Sequence, residues 1–224
     1  YGLLYRGGQL NGYAGMEAMT DNGKYVFDEV LGIKSELDLR TPGKDDGGQA
    51  SCWWNSAAGY KKVPLSQYGC IIPHFGGNAN GVASYVSSSL SAIKEIFTYL
   101  SDINNYPIYI HCNAGSDRTG TLAFLIGGLL GVSYEDMTRD FETTSFTYYG
   151  ARWRSDIRNG KFTSTGVMRD DRENFIGWGQ MYSLFMKYYA GDAGTLSYAI
   201  ENYLVNTCKV DVQCIEQIKD IMLQ

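Results

Sequence analysis

Apolar residues return every third or fourth position over 82–100. Val82, Val86, Leu90, Ile93, Phe97 and Leu100 fall on one stripe, and the spacing predicts an amphipathic helix over 83–100. Residues 106–110 (Tyr-Pro-Ile-Tyr-Ile) are β-rich and almost unbroken in apolarity, which predicts a short buried strand introduced by a proline. Residues 121–130 (Thr-Leu-Ala-Phe-Leu-Ile-Gly-Gly-Leu-Leu) are apolar on most faces of a helix and predict a buried one. Earlier in the chain, 25–31 reads as a short helix ended by Gly32, followed by a strand over 33–39 and a flexible loop over 43–48. Two closing helices, 195–205 and 212–222, carry apolar residues at helical spacing. There is no internal repeat, low-complexity tract or interdomain linker. Strands alternating with helices predict an α/β fold: a single three-layer domain over residues 1–224, its mostly parallel central sheet flanked by helices. A helix feeding the strand at 106–110 makes a right-handed crossover that places residue 112 at the carboxyl edge of the sheet, where such folds bind ligands.

Bulk numbers narrow the class. A chain of 224 residues can bury a substantial core, and 44% hydrophobic content is ordinary for a globular protein. No run approaches the roughly 18 apolar residues of a membrane span, so no integral membrane segment is expected. A net charge of −5, with only 19 Lys and Arg, argues against a general nucleic-acid or membrane-surface binder. Setting Cys112 aside, the other cysteines form two sequence-local pairs, Cys52 with Cys70 and Cys208 with Cys214. Two disulfides in an exported protein and four unpaired thiols in a cytoplasmic one both fit that pattern. The 18 tyrosines, 27 glycines and few lysines lean toward an extracytoplasmic location.

The chemistry is concentrated where the strand at 106–110 meets the helix at 121–130. The loop between them opens onto a helix N-terminus, where unpaired N–H groups and the helix dipole favour an anion. Residues Asn113, Ala114, Gly115, Ser116 and Asp117 can wrap into a nest whose amides converge on one phosphate-sized oxyanion. Cys112 sits at the centre of that nest. A thiol in such a field, or beside cations, ionises more readily, and the thiolate is a nucleophile toward phosphorus. The planar fork of Arg118 can hold two phosphate oxygens, and the Thr119 hydroxyl can hydrogen-bond the thiolate. His111 is expected to donate to backbone carbonyls and shape the loop. Asp117, directly before Arg118, is the favoured general acid and then base, with Asp45, Asp46 and Asp102 as alternatives that only folding brings near. Asp117 can equally serve as a helix N-cap.

His111-Cys112-Asn113-Ala114-Gly115-Ser116-Asp117-Arg118-Thr119-Gly120 resembles the signature loop of protein tyrosine phosphatases, His-Cys-x5-Arg-[Ser/Thr]-Gly. The Asp before the Arg resembles an atypical bacterial branch that includes tyrosine and phosphoinositide phosphatases, where the in-loop aspartate acts as general acid. Tyr5-Arg6-Gly7-Gly8-Gln9-Leu10 is similar to the family's opening segment, and Gly32-Ile33-Lys34-Ser35-Glu36-Leu37-Asp38-Leu39-Arg40-Thr41 to its Gly-Ile-x-x-x-Ile-Asp-Leu-Arg strand. The resemblance runs over about residues 5–223. It implies a tyrosine-phosphatase-like fold and a phosphatase of dual specificity that works through a phosphocysteine intermediate without metal or cofactor. The implied substrate is phosphotyrosine in proteins; a phosphoinositide or inositol polyphosphate is the alternative, and a non-catalytic phosphoprotein-binding module is the reading from another class. Many phosphoinositide-directed members carry Lys where this chain has Ser116, and residues 148–174 match nothing in the family pattern and read as an insertion.

Other residues carry two readings each. Asp38 and Arg40 alternate with Leu37 and Leu39, so a structural ion pair beneath the loop is expected, with a supporting role for Arg40 as the other option. Arg6 either holds the N-terminal segment against the pocket rim or is solvated. Arg152, Arg154, Arg158, Lys161, Arg169 and Arg172, interleaved with Tyr149, Trp153 and Phe162, form either a cationic aromatic lip or a solvated loop. His74 reads as structural, and two histidines without cysteine clustering predict no metal site.

Overall fold

Four short strands, β1 (Leu4–Gly7), β2 (Ser35–Asp38), β3 (Gly59–Lys62) and β4 (Ile108–His111), pair in parallel in the order β1-β4-β2-β3. The computed structural model describes residues 2–65, 82–146, 156–158, 161–163 and 178–224. All eight residues of the two central strands are buried, as a parallel sheet covered on both faces requires. Strand geometry sends alternate side chains to opposite faces. Leu37, Leu39, Ile108 and Ile110 enter the main core, where Ile93, Ile96, Phe97 and Leu100 of α2 (Val82–Leu100) meet Leu122 and Leu125 of α3 (Asp117–Leu129). Fully burying such side chains stabilises the fold by about 1.5–3 kcal/mol each.

The helices divide unevenly between the faces. With α2 and α3 pack α4 (Tyr134–Glu142), α5 (Trp178–Tyr188), α6 (Leu196–Asn202) and α7 (Val212–Met222), which add Phe141, Phe185, Ile200, Ile215 and Ile218 to the main core. Gly128 lets α3 and α6 meet closely, since a Cβ there would lie 2.2 Å from Ile200. The opposite face is covered by the short α1 (Asp21–Tyr25), the π-helical turn Val26–Val30 and a loop after β2. There Phe27 packs edge-on to Tyr109 at 4.9 Å and tilts against Trp54 at 5.3 Å. Between this small apolar cluster and the sheet edge, the same face carries Glu36, Asp38, Arg40 and His111, all fully buried.

Several boundaries differ from the sequence reading, each for a local reason. The first helix starts at Asp21 because the Thr20 hydroxyl accepts the Gly23 N–H at 3.1 Å, an N-cap the apolar pattern does not register. The strand read at 106–110 pairs only over Ile108–His111, since Pro107 has no N–H for the ladder and His111 finds partners in Gly7 and Asp38. The helix read at 121–130 begins at Asp117, so Arg118 and Thr119 lie in its first turn. The helix read at 195–205 is α6 followed by a π-helical turn over Tyr203–Thr207.

Cys52, Cys208 and Cys214 are free thiols, which removes the Cys208–Cys214 disulfide from the two options; Cys70 and His74 lie outside the described residues. Within the stretch 148–174 only the antiparallel pair β5 (Asp156–Arg158) and β6 (Lys161–Thr163) is described, so the aromatic and cationic side chains expected there lie outside the description. No helix among the described residues is long and apolar enough to cross a membrane.

Candidate active site

At the carboxyl end of β4 the chain turns through Cys112, which is 3% exposed, and enters α3 at Asp117. The loop owes its shape to the segment after β1. Gln9 donates its N–H to the Asn113 carbonyl at 2.8 Å, and Arg6 Nη2 donates to the Gly115 carbonyl at 2.6 Å. Tyr109 fixes that segment in turn, its hydroxyl donating to the Gly8 carbonyl at 2.7 Å. A peptide unit is planar and trans, so drawing these two carbonyls outward turns the N–H groups of residues 114 and 116 inward. Gly115 makes the tight approach possible: its φ is +72°, and a Cβ would sit 2.4 Å from the Gly7 oxygen. Inward amides at a helix N-terminus are an anion cradle.

Arg118 closes the cradle. Nη2 donates to Asn113 Oδ1 and Nη1 to Asp45 Oδ2, both at 2.5 Å, and Asn113 Nδ2 returns a bond to the Asp45 carbonyl at 3.1 Å. Asp45 was an alternative acid in the sequence; here it is the counter-ion of Arg118, and its Oδ1 is buried with no partner among the described residues. The loop that carries it, read from sequence as flexible, is pinned. The buried Asp46 carboxylate accepts the N–H groups of Gly43 and Gly48 at 2.9 and 2.8 Å and pairs with Lys62, while Asn11 donates to the Asp46 carbonyl at 2.7 Å. Burial alone would raise the Asp46 carboxyl, but the Lys62 and backbone hydrogen bonds outweigh it and hold the carboxyl below its ordinary value. Asp46 is thus a structural anchor. Asp102 caps the turn Ile103–Asn105, before the amino end of β4, and is remote from a site at that strand's carboxyl end.

Asp117 is the first residue of α3 and half-buried, while the N-cap position belongs to Ser116, which makes no side-chain cap bond. The hydroxyls of Ser116 and Thr119 are buried and have no hydrogen-bond partner among the described residues. Thr119 lines, with Ile110, Ala123, Met137 and Asp140, a cavity of about 350 Å³ between β1, α3 and α4. Two unsatisfied buried donors beside a cradle are costly unless something accepts from them, and a thiolate or phosphate oxygen would.

Beneath the loop lies a polar network. Arg40 Nε and Nη2 grip the two Asp38 oxygens at 2.9 and 2.8 Å, and Nη1 donates to Gln9 Oε1 at 3.1 Å and Asn11 Oδ1 at 2.9 Å. Arg40 therefore braces the loop from beneath, through Gln9 and through Asn11, which holds the segment that carries Asp45. Burial alone would raise the Asp38 carboxyl; the Arg40 hydrogen bonds and the His111 and Arg40 charges reverse this and hold it well below the usual range. Burial and then the Glu36 charge push the Cys52 thiol far up, so Cys52 is inert beside this network. His111 Nδ1 meets its neighbour's carbonyl, Cys112 O, at 2.9 Å, and Nε2 meets Glu36 Oε1 at 2.6 Å. Glu36, Asp38 and His111 are the one group among the described residues whose ligand atoms, all within 4.8 Å, are close enough to share a cation. The Arg40 guanidinium already fills Asp38 and would repel an ion there.

The structure places residues 111–120, Arg6 and Arg40 close together, and with them Glu36, Gln9 and Gln49, to which the sequence reading gave no role of their own. A signal was present: Glu36, Asp38 and Arg40 alternate with Leu37 and Leu39, so one face of a central strand carries three charges.

Over residues 1–224 the chain matches the family model described as "Tyrosine phosphatase family". A curated relative, a tyrosine-protein phosphatase of Nostoc commune, is 26% identical over 139 residues, 58% of this chain and 46% of that protein. The chain therefore spans under half the length of that relative. Among solved structures, the core catalytic domain of the PP-IP phosphatase SIW14 from S. cerevisiae, in complex with citrate, matches at 20% identity with a TM-score of 0.40, covering 65% of this chain and 77% of that one.

Proposed function

The chain belongs to the tyrosine phosphatase family, and from that premise we propose that it hydrolyses phosphomonoesters, with phosphotyrosine in proteins as the substrate. We take residues 1–224 as one phosphatase domain with an insertion at 148–174. The observation that carries the reading is the outward anchoring of the Asn113 and Gly115 carbonyls, which aims backbone amides into a cradle closed by Arg118, in the loop that Cys112 opens. The residues take these roles. The Cys112 thiolate attacks phosphorus, forming the S–P bond as the ester P–O bond breaks, and the amides of residues 113–118 with Arg118 hold the equatorial oxygens. Asp117 gives its proton to the leaving oxygen. Water then attacks the phosphocysteine, Asp117 takes the water's proton, and the S–P bond breaks to release inorganic phosphate. Thr119, with its unspent hydroxyl, donates to the returning thiolate.

The charge around the loop supports a singly phosphorylated substrate over an inositol polyphosphate. Among the described residues, the arginines in contact with the loop, Arg6 and Arg118, are already paired with Asp140 and Asp45, and position 116 is serine. The test is phosphate release from a phosphotyrosine peptide, a phosphoinositide and inositol hexakisphosphate, with chelator present, by wild type and Cys112→Ser. Chelator-resistant turnover of the peptide, abolished by the substitution, is the expected result. Turnover of the inositol compounds alone would move the substrate class. No turnover on any of them, with the phosphopeptide still bound, would make this a recognition module.

A further inference from the structure

The two carbonyls that shape the loop are held in unequal ways. Asn113 gives its carbonyl to a backbone N–H, that of Gln9, in a segment that Tyr109 clamps at Gly8. Gly115 gives its carbonyl to a side chain, Arg6 Nη2 at 2.6 Å, and a side chain holds only as well as it is itself held. The need for a hold is greatest here. A Cβ at 115 would lie 2.4 Å from the Gly7 oxygen, so the position takes glycine, and glycine leaves the next peptide plane easier to turn than other residues do. From Ser116 onward the helix takes over, the Ser116 carbonyl accepting the Gly120 N–H at 2.8 Å. The Gly115–Ser116 peptide is therefore the soft link between a clamped loop and a rigid helix.

Asp140 supplies what Arg6 needs. Its Oδ2 accepts from Nη1 of the same guanidinium whose Nη2 reaches Gly115. A guanidinium is planar, so fixing one nitrogen sets the direction of the other. Asp140 is itself steady. It stands on α4 beside Phe141 and one turn after Met137, both buried in the main core, and the Thr143 hydroxyl donates to its carbonyl at 2.6 Å. Arg6 and Asp140 both line the cavity between β1, α3 and α4, so the pair ties β1 to α4 along that cavity's wall.

We propose that Asp140 is a positioning residue for phosphate binding: through Arg6 it holds the Gly115 carbonyl outward and so keeps the Ser116 N–H in the cradle. A helix outside the loop thereby sets the direction of one of the cradle's amides. The proposal rests on the loop being the phosphate cradle of the reading above. Its sign separates it from a plain charge effect. As a mere carboxylate near the loop, Asp140 repels phosphate, and its removal would tighten binding. As the group that holds Arg6 in place, its removal weakens binding.

The test is the affinity for inorganic phosphate, read by titration calorimetry, of wild type, Asp140→Ala, Arg6→Met and the double variant. Asp140→Ala is expected to weaken binding about fivefold, and Arg6→Met at least as much. The double variant should bind no worse than Arg6→Met alone, because Asp140 then has nothing to hold. In turnover, Asp140→Ala should lower kcat about tenfold, and equally on a phosphotyrosine peptide and on p-nitrophenyl phosphate, since the amide serves the phosphoryl group common to both. The Asp140 side chain is 48% exposed on a helix, where alanine is well tolerated, so circular dichroism should match wild type. If that variant does not fold, Asp140→Asn, of the same shape without the charge, takes its place with the same expected signs. Phosphate binding that is unchanged or tighter, or losses that add in the double variant, would overturn the proposal and leave the catalytic reading intact. A wild-type protein that neither binds phosphate nor turns over any substrate would overturn the cradle, and the proposal with it.

Discussion

The guanidinium that closes the cradle already holds an anion, the Asp45 carboxylate, at 2.5 Å. Arg118 and Asp45 are 17% and 26% exposed, so the pair is partly screened, and charge-assisted bonds of this kind contribute about 1 kcal/mol. A phosphate oxygen arriving at Arg118 must displace that carboxylate and then sit beside its charge. Asp45→Asn removes the competitor and the repulsion. Inorganic phosphate should therefore inhibit the variant about fivefold more tightly than wild type, read as Ki in a steady-state assay. Unchanged inhibition would mean that the loop carrying Asp45 leaves Arg118 on its own in solution. Asp117 is separated from Asp45 by its effect on chemistry. As general acid, Asp117→Asn should lower kcat on a phosphotyrosine peptide by about a hundredfold, and by much less on p-nitrophenyl phosphate, whose leaving group needs little protonation. Equal losses on both would assign Asp117 to holding the loop.

The loop takes its shape because neighbouring elements fix its peptide planes, and this is where legibility in the sequence ends. Residues 111–120 carry the family's loop pattern in type and spacing, and the apolar pattern places them between a strand and a helix. What aims the amides is invisible at that level. The bond from Arg6 to Gly115 spans 109 positions and the one from Gln9 to Asn113 spans 104, so nothing local encodes them. The pinned loop at 43–48 likewise reads as flexible from its glycines, because the anchoring Lys62 arrives from another strand. Two substitutions probe the scaffold. Gly115→Ala meets both a φ of +72° and a backbone oxygen 2.4 Å from the new Cβ, so the loop must reshape. Activity should fall at least a hundredfold, while circular dichroism stays close to wild type because α3 and the sheet are untouched. Arg40→Met strips Asp38 of its buried partner and is expected to cost about 3–5 kcal/mol in urea unfolding. A loss below about 1 kcal/mol would mean that Lys62 and Tyr60, the latter donating to Asp38 at 2.8 Å, already suffice.

Across the whole molecule, buried ionisable groups set the pH range of the fold, and the two limbs have opposite origins. The folded state holds the Asp38 carboxyl well below its unfolded value, despite burial, through Arg40 and His111. Its stabilisation is full above about pH 4 and is lost as pH falls from there. Tyr106 and Tyr109 shift the other way: burial pushes both phenols well up, with neighbouring Tyr99 adding to Tyr106 and the Glu36 charge to Tyr109. They are 2% and 6% exposed. Below about pH 10 their contribution is complete. Above it the unfolded chain releases protons that the folded one keeps, and stability falls by about 1.4 kcal/mol per pH unit for each group. With the raised Cys52 thiol adding to the alkaline side from about pH 8.5, urea midpoints should be flat from about pH 5 to 8 and fall on both sides. Tyr106→Phe isolates one alkaline proton. It removes a buried hydroxyl that donates to the Leu100 carbonyl at 2.6 Å, so at pH 7 the variant should be weaker by about 1 kcal/mol. It also has no phenol to ionise in the unfolded chain, so its deficit should shrink as pH rises past 10 and reverse near pH 11. Parallel curves for the two proteins would mean that Tyr106 ionises as freely in the folded state as in the unfolded one, and that the alkaline limb belongs to other groups.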